Sequence, residues 1–343
     1  MYHTPKMVNS QFSDNHVGKV CKTLVLLAYM KKVMVSGIQP SGIMHIGNYF
    51  GAIKQLVDLQ NEYDSRIIIV DLHAMTTVQD KEKLSRYILN VAMDYLACGL
   101  DPKNVTLFKQ SDLPEVTELT WYFNCITTMA FLERATTYKD AHMKAKEVTV
   151  GLFDYPMLMC ADILIHDADI VPVGQDQKQH VEYARDTAQK FNNIYGDTFK
   201  LPEVVIKQEV AIVPGTDGRK MSKSYGNTIP LFGTDEEIKK AVMSIVTDSG
   251  GAIPTNVYEI HKLFRPEEDL QRIYAEKNGK YKDLKEMLAE DIIQYITPMR
   301  DKRKMYEGNL DLVRTILKEG GEKIKALTKM KVTQVRSAVG VTI

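Results

Sequence analysis

The chain holds only four cysteines, Cys21, Cys98, Cys125 and Cys160, and no two form a C-x-x-C pair. That excludes a cysteine-rich zinc or iron–sulfur framework and points to a reducing compartment, the cytoplasm. His180 has no second His or Cys at ligand spacing, so no protein-held metal is expected. No apolar run approaches the length of a membrane span, so no membrane partner is expected. Net charge is missing too. Lys plus Arg and Asp plus Glu stand at 44 each, which removes any global attraction to DNA or RNA and leaves nucleic-acid contact to local patches. Two common nucleotide signatures, G-x-G-x-x-G and G-x-x-x-x-G-K-[ST], are absent. At 343 residues, the chain exceeds one compact core of usual size, and two domains are the natural division.

What the chain does carry is a strand, a glycine-rich turn and a helix between Ser36 and Gln60. Val33, Met34 and Val35 enter the turn, and Phe50, Ile53, Leu56 and Val57 leave it at helical spacing. Gly37 and Gly42 allow backbone to approach a ligand. Gly47 and Asn48 fall where a helix exposes unpaired N–H groups suited to phosphate, and His45 adds a donor beside them. Such a turn can also be a mere connection. A second signal lies far downstream, in Arg219-Lys220-Met221-Ser222-Lys223-Ser224, within a loop containing Gly215, Asp217, Gly218, Gly226 and Asn227. Two lysines three apart can close over a polyphosphate as point charges, or can be a solvated patch. The two signals in this order are more specific than either alone.

Between them, strands alternate with helices. Ile67–Val70 and Val105–Phe108 read as strands, Asp80–Leu100 and Pro114–Thr128 as helices, and Ile170–Val173 as a further strand before the helix Lys178–Asn192. Alternation of this kind predicts a parallel, doubly wound α/β sheet, with polar groups past the strand ends (Asp71, His73, Gln175) facing the ligand crevice. On the helix Tyr155–His166, Tyr155, Met159 and Asp162 share one face among apolar residues. A carboxylate there needs a partner, either an internal Arg, backbone groups, or a ligand donor. Trp121, Phe123 and Ile126 read as partly buried core or subunit contacts. Thr234-Asp235-Glu236-Glu237 is a capping box that opens a helix buried through Ile238, Val242 and Ile245. Beyond it strands vanish, and His261–Ala275, Tyr281–Asn309 and Leu310–Met330 read as helices. The expected division is therefore a 1–32 extension, a 33–230 α/β domain and a 231–343 helical domain.

The blocks Ser36–Ala52, Val70–Thr76, Gly151–His166, Val171–His180 and Lys220–Ser224 resemble those of class I aminoacyl-tRNA synthetases, and within them the bacterial-type tryptophanyl-tRNA synthetases, over nearly all of the chain from Val33 onward. The resemblance implies a Rossmann-like catalytic domain and a helical anticodon-binding domain. It also implies ATP and Mg²⁺, L-tryptophan and tRNA(Trp) as reactants, and a homodimer. It assigns catalytic roles to His45, Asn48, Lys220 and Lys223. Gln39, Pro40, Ser41, Gly47 and Asn48 would face the nucleotide, with Gly174, Gln175 and Asp176 at the ribose and Val213 at adenine. Met221, Ser222 and Ser224 would accompany the two lysines. Val35, His73, Tyr155, Met159, Asp162, Val171 and Val173 would form the tryptophan pocket, with Gln177 at the ammonium group.

Departures from the family pattern are few. Gln175 replaces the usual glutamate, Cys160 a usual alanine, and Ala141 a family lysine, so that either Lys139 or Lys144 substitutes for it or the contact is missing. Part of the basic run Arg300, Lys302, Arg303, Lys304, Lys325, Lys329, Lys331 and Arg336 would meet the anticodon. Residues 1–32 do not match the family. A polar arm precedes the short apolar run Leu24–Tyr29, which reads as an appended helix or an over-extended translation start, with Met30 and Met34 as alternative starts. A targeting peptide is disfavoured, because the stretch has no arginine and no clear cleavage site. Three other functions compete: a tyrosine-specific sister enzyme, a nucleotidyltransferase without tRNA, and a catalytically silent RNA-binding paralogue.

Overall fold

The computed structural model describes residues 31–40, 42–135, 138–139, 147–172, 178–205, 213–247 and 253–342. Five parallel strands, β1 (Val33–Ile38), β2 (Asp64–Ile69), β3 (Val105–Lys109), β4 (Ile170–Pro172) and β5 (Glu203–Val205), form one sheet in the order β3-β2-β1-β4-β5. The chain winds outward from β1 to β3, then returns to lay β4 on the other side of β1. The direction reverses between β1 and β4, the position at which open α/β sheets leave a crevice at their carboxyl ends.

Period-two alternation along each strand sorts the core into two layers. Met34, Ile67, Ile69, Leu107 and Ile170 point to one face, while Val35, Ile68, Phe108 and Val171 point to the other. The first face is covered by a helical run, α1, made of Ile46–Asn48, a π-helical turn Tyr49–Ile53 and Lys54–Leu59, and by α3 (Lys81–Ala97). Its apolar cluster continues through Ile229 and Leu231 into α7 (Asp235–Met243), α8 (Thr255–His261), α9 (Glu267–Glu276) and α10 (Tyr281–Glu307). The second face carries α4 (Glu115–Ile126), α5 (Val150–Leu164) and α6 (Lys178–Tyr195). A four-residue helix, α2 (Asp71–Ala74), follows β2 directly.

The helix α11 (Leu310–Val339) belongs to both layers. Val313 and Leu317 join the first cluster, whereas Ile324, Val332 and Val335 join the second. Between them the helix crosses the edge strand β3 at Gly320 and Gly321. A Cβ on Gly320 would lie 2.0 Å from the Leu107 carbonyl oxygen, and one on Gly321 3.0 Å from Asp112 Cβ. Glycine disfavours a helix interior by about 1 kcal/mol, and the close backbone contact here accounts for its use. The helix thereby covers a sheet edge that would otherwise offer unpaired backbone groups.

Two expectations need correction. His261–Ala275 is not one helix: α8 stops at His261 and α9 starts at Glu267, because Pro266 has no N–H to donate and restricts the residue before it. Trp121 is not partly buried but 66% exposed, while Phe123 is fully buried. The capping box is present as expected: Thr234 Oγ1 accepts from Glu237 N at 3.2 Å, and Glu237 Oε2 accepts from Thr234 N at 2.8 Å.

Candidate active site

The glycine-rich turn leaves β1 at its carboxyl end and turns at Gly42, whose φ of +56° lies in the left-handed region that favours glycine. Asn48 Oδ1 accepts from the His45 backbone N at 3.2 Å and ties off the start of α1. His45 is 5% exposed, and its Nδ1 has no hydrogen-bond partner among the described residues. Burial, reinforced by the Lys223 ammonium, lowers its pKa to about 4. At neutral pH the ring is therefore an uncharged imidazole with polar capacity to spare. The π-helical turn follows at once; such turns occur often at functional sites.

The downstream lysine loop is built onto this turn. Val213 and Pro214 pair with Lys220 and Met221, through a Pro214–Lys220 bridge and Met221 N donating to Val213 O at 2.9 Å. Asn227 closes the hairpin: its side chain accepts from Ser222 N at 2.8 Å and donates to Asp217 Oδ1 at 2.6 Å. Downstream, Ile229 O accepts from Ile46 N at 3.1 Å, and Leu231 N donates to Met44 O at 3.0 Å. The two signature stretches consequently touch. A Cβ on Gly47 would lie 3.2 Å from Met221 Cβ, and one on Gly42 would lie 3.7 Å from Lys223 Nζ. Ser222 Oγ caps the turn Lys223–Tyr225 by accepting from Ser224 N at 3.3 Å.

A second constellation lies past β2 and β3. Asp162 on α5 is 5% exposed. Gln110 Nε2 donates to both of its oxygens, at 2.9 Å to Oδ1 and 2.8 Å to Oδ2, and His73 Nε2 sits 3.1 Å from Oδ2. Gln110 is itself fixed, because its Oε1 accepts from Leu72 N at 3.1 Å and His73 N at 3.3 Å. Burial pushes the Asp162 carboxyl up and the His73 and Gln110 hydrogen bonds pull it down, with burial the largest effect. A carboxylate has about four lone-pair positions. Three are engaged, which leaves Oδ1 able to accept one more donor. The His73 and Tyr155 rings meet edge-on with centroids 6.2 Å apart, and Met159 packs on the same cluster as Val35 and Val171.

Of the residues expected at the site, Gln39, His45, Gly47, Asn48, Val213, Lys220, Met221, Ser222, Lys223 and Ser224 fall around the turn and hairpin. Pro40 is buried in the turn, and Gln39 Nε2 donates to His73 O at 3.3 Å, linking the turn to the second constellation. Ser41, Val173, Gly174, Gln175, Asp176 and Gln177 lie outside the described residues, as do Ala141 and Lys144. Gln110 was missed from sequence. Its signal was a polar residue one position past β3, the same placement that drew attention to Asp71 and His73. Among the described residues, neither an Arg nor backbone groups partner Asp162; an amide and an imidazole do. Among the described residues, no group of three or more His, Cys, Asp or Glu is placed to hold a metal ion.

The basic run divides in two. Arg300 pairs with Asp235 at 2.6 Å, Arg303 with Asp94 at 2.6 Å, Lys331 with Asp167 at 2.7 Å and Arg336 with Glu118 at 2.6 Å. Lys302, Lys304, Lys325 and Lys329 are exposed. Four of the eight thus serve the fold.

Residues 30–309 match the family described as class I tRNA synthetases (W and Y). The tryptophan–tRNA ligase of Fusobacterium nucleatum is 47% identical over 318 residues, spanning 90% of this chain and 98% of that protein. That of Rhodopirellula baltica is 45% identical over 316 residues, spanning 90% and 99%. Among solved structures, Campylobacter jejuni tryptophanyl-tRNA synthetase in complex with ADP and tryptophan superposes with a TM-score of 0.83. It is 42% identical and covers 90% of this chain and 99% of its own.

Proposed function

The chain belongs to the class I tRNA synthetases of the tryptophan and tyrosine type, and from that membership we propose that it charges tRNA(Trp) with L-tryptophan in two steps. In the first, the tryptophan carboxylate attacks the α-phosphate of ATP in line, forming tryptophanyl-adenylate and releasing pyrophosphate. In the second, a hydroxyl of the 3′-terminal adenosine takes the acyl group and AMP leaves. The attacking group of the first step is already anionic, so no general base is needed, and catalysis is positioning plus stabilisation of charge.

The observation that carries this reading is the contact between the two signature stretches, with Lys223 Nζ held over Gly42. A triphosphate lying along the turn would meet the start of α1 on one side and the lysine hairpin on the other. His45, as a neutral ring, would donate a hydrogen bond at the phosphates without a competing charge of its own. Lys220 and Lys223 would draw off charge as pyrophosphate leaves. Mg²⁺ would enter as the complex of ATP, bridging phosphate oxygens as part of the substrate. The indole N–H, a donor with no acceptor function, suits the remaining acceptor position on Asp162 Oδ1. His73, Tyr155 and Met159 would enclose the ring, with Val35 and Val171 behind them.

Residues 231–343 are proposed as the tRNA-contacting half, with Lys302, Lys304, Lys325 and Lys329 the basic residues free of the ion pairs given above. A homodimer is supported by Trp121, Met129 and Val150, which are 66%, 64% and 81% exposed around α4 and α5; apolar side chains of that size gain from a partner surface. The cytoplasm is the proposed compartment. The test is Mg²⁺-dependent ATP–pyrophosphate exchange with each amino acid offered separately. Exchange with tryptophan alone is expected; exchange with tyrosine would overturn the Asp162 assignment and leave the family standing.

A further inference from the structure

The lysine hairpin has one edge paired by backbone and one that is not. Gly215 N donates to Arg219 O at 2.6 Å and Met221 N to Val213 O at 2.9 Å, which commits one edge of residues 219–221 to the opposite arm. Successive residues of an extended chain turn their N–H and C=O groups to opposite edges, so Lys220 O and Ser222 N point away from that arm. Among the described residues no strand pairs with them. The Asn227 side chain stands in for one: Oδ1 accepts from Ser222 N at 2.8 Å, and Nδ2 donates to Lys220 O at 3.2 Å.

Asn227 is 2% exposed, and its amide is held in one orientation. Asp217 Oδ1 accepts from Nδ2 at 2.6 Å, a place the amide oxygen could not take. Arg219 steadies that carboxylate, donating from N to Oδ1 at 3.1 Å and from Nε to Oδ2 at 2.8 Å. Gly215 supplies the room, since a Cβ there would lie 2.2 Å from Asn227 Nδ2. The two groups gripped are the carbonyl of Lys220 itself and the N–H one residue before Lys223. Lys220 and Lys223 lie on the exposed side of the hairpin, while Met221 between them is 4% exposed and packs in the core. One buried amide thus fixes the backbone at the base of two exposed charges.

We propose that Asn227 is a positioning residue for Lys220 and Lys223, setting the backbone from which both ammonium groups reach the phosphates. The inference rests on the reading of the two lysines as polyphosphate contacts. A lysine stem is flexible, so whatever precision the pair has must come from its backbone. Misplacing a group by 1 Å can cost about a hundredfold in rate. Loss of the amide should therefore act on the phosphate step and leave tryptophan binding alone.

The experiment is Mg²⁺-dependent ATP–pyrophosphate exchange by the full-length protein. Asn227→Ala should lower kcat about tenfold or more, while the KM for tryptophan and the calorimetric stoichiometry of tryptophan binding stay those of the parent. Gly215→Ala keeps the amide but occupies its place, and should lower kcat in the same selective way. In a Lys220→Ala/Lys223→Ala background, Asn227→Ala should cost nothing more, because a residue acting through the lysines has nothing left to position. An unchanged kcat in Asn227→Ala would overturn the proposal. So would a loss undiminished in the lysine-free background, or a matching rise in the KM for tryptophan. If Asn227→Ala does not fold, Gly215→Ala decides by the same criteria. The Lys220→Ala/Lys223→Ala protein separately tests the reading beneath: exchange like the parent's would overturn the polyphosphate role of the lysines, and the proposal with it.

Discussion

A carboxylate as enclosed as Asp162 stays charged only while donors face it, and Gln110 and His73 are those donors. Asp162→Asn keeps the shape but removes the negative charge and turns one of the two acceptor oxygens into an N–H₂ that faces the Gln110 amide, which donates to both positions. The KM for tryptophan in pyrophosphate exchange should rise about tenfold or more, a charge-assisted hydrogen bond of roughly 1.5–3 kcal/mol, while the KM for ATP stays in place. Lys223→Ala should do the reverse, depressing adenylate formation with little change in tryptophan binding measured by fluorescence quenching; equal losses in both would remove its assigned role. His45 and His166 give a prediction about pH. Burial lowers them to about 4 and about 3 respectively, with a neighbouring cation adding to it. Protons then bind the unfolded chain more readily than the folded one, so stability is present above pH 6.5 and is lost as pH falls toward 4. Each ring contributes a slope of up to about 1.4 kcal/mol per pH unit. Denaturant midpoints at pH 7 and pH 5 check this, and His166→Phe should flatten the dependence. Asp162 was legible because its helical spacing put a lone acid on an apolar face. Gln110 was not, because its partners come from α2, which follows β2, and from α5, and that proximity is a property of strand order.

The interior glycines of α11 belong to the scale of elements. Gly320→Ala places a methyl group on the Leu107 carbonyl, with backbone on both sides and nothing free to move. Overpacking of this kind costs about 1–3 kcal/mol, visible as a lower midpoint in urea. Gly308, where a Cβ would make only ordinary contacts near 3.6 Å, is the control. Its helical backbone accepts alanine, and Gly308→Ala should be neutral or slightly stabilising. The existence and type of most elements were legible from periodicity: β2, β3, α3, α4 and α6 lie within a few residues of their expected bounds. The turn near Pro266 was missed because apolar spacing on either side of it carried the helical reading across. The glycines of α11 could be read as punctuation or as contact, and only the neighbouring strand decides between them.

At the scale of the molecule, the helical half and the α/β half share one apolar cluster that runs from Met34 to Leu317. Composition alone suggested a boundary near residue 230, because strands stop there. The ion pairs that spend Arg300, Arg303, Lys331 and Arg336 were invisible in sequence, since their carboxylates lie far away in the chain. Trp121 is open to a partner as a consequence of facing away from both clusters. Trp121→Glu should therefore shift the sedimentation coefficient toward that of a single chain, and an unchanged value would dissociate the helix α4 surface from assembly. The passage of α11 over β3 carries one further meaning, which concerns the order of synthesis. The ribosome makes β3 long before it makes Gly320, so the nascent sheet spends the interval with an open edge. The interval is one in which a strand of another chain could add to it.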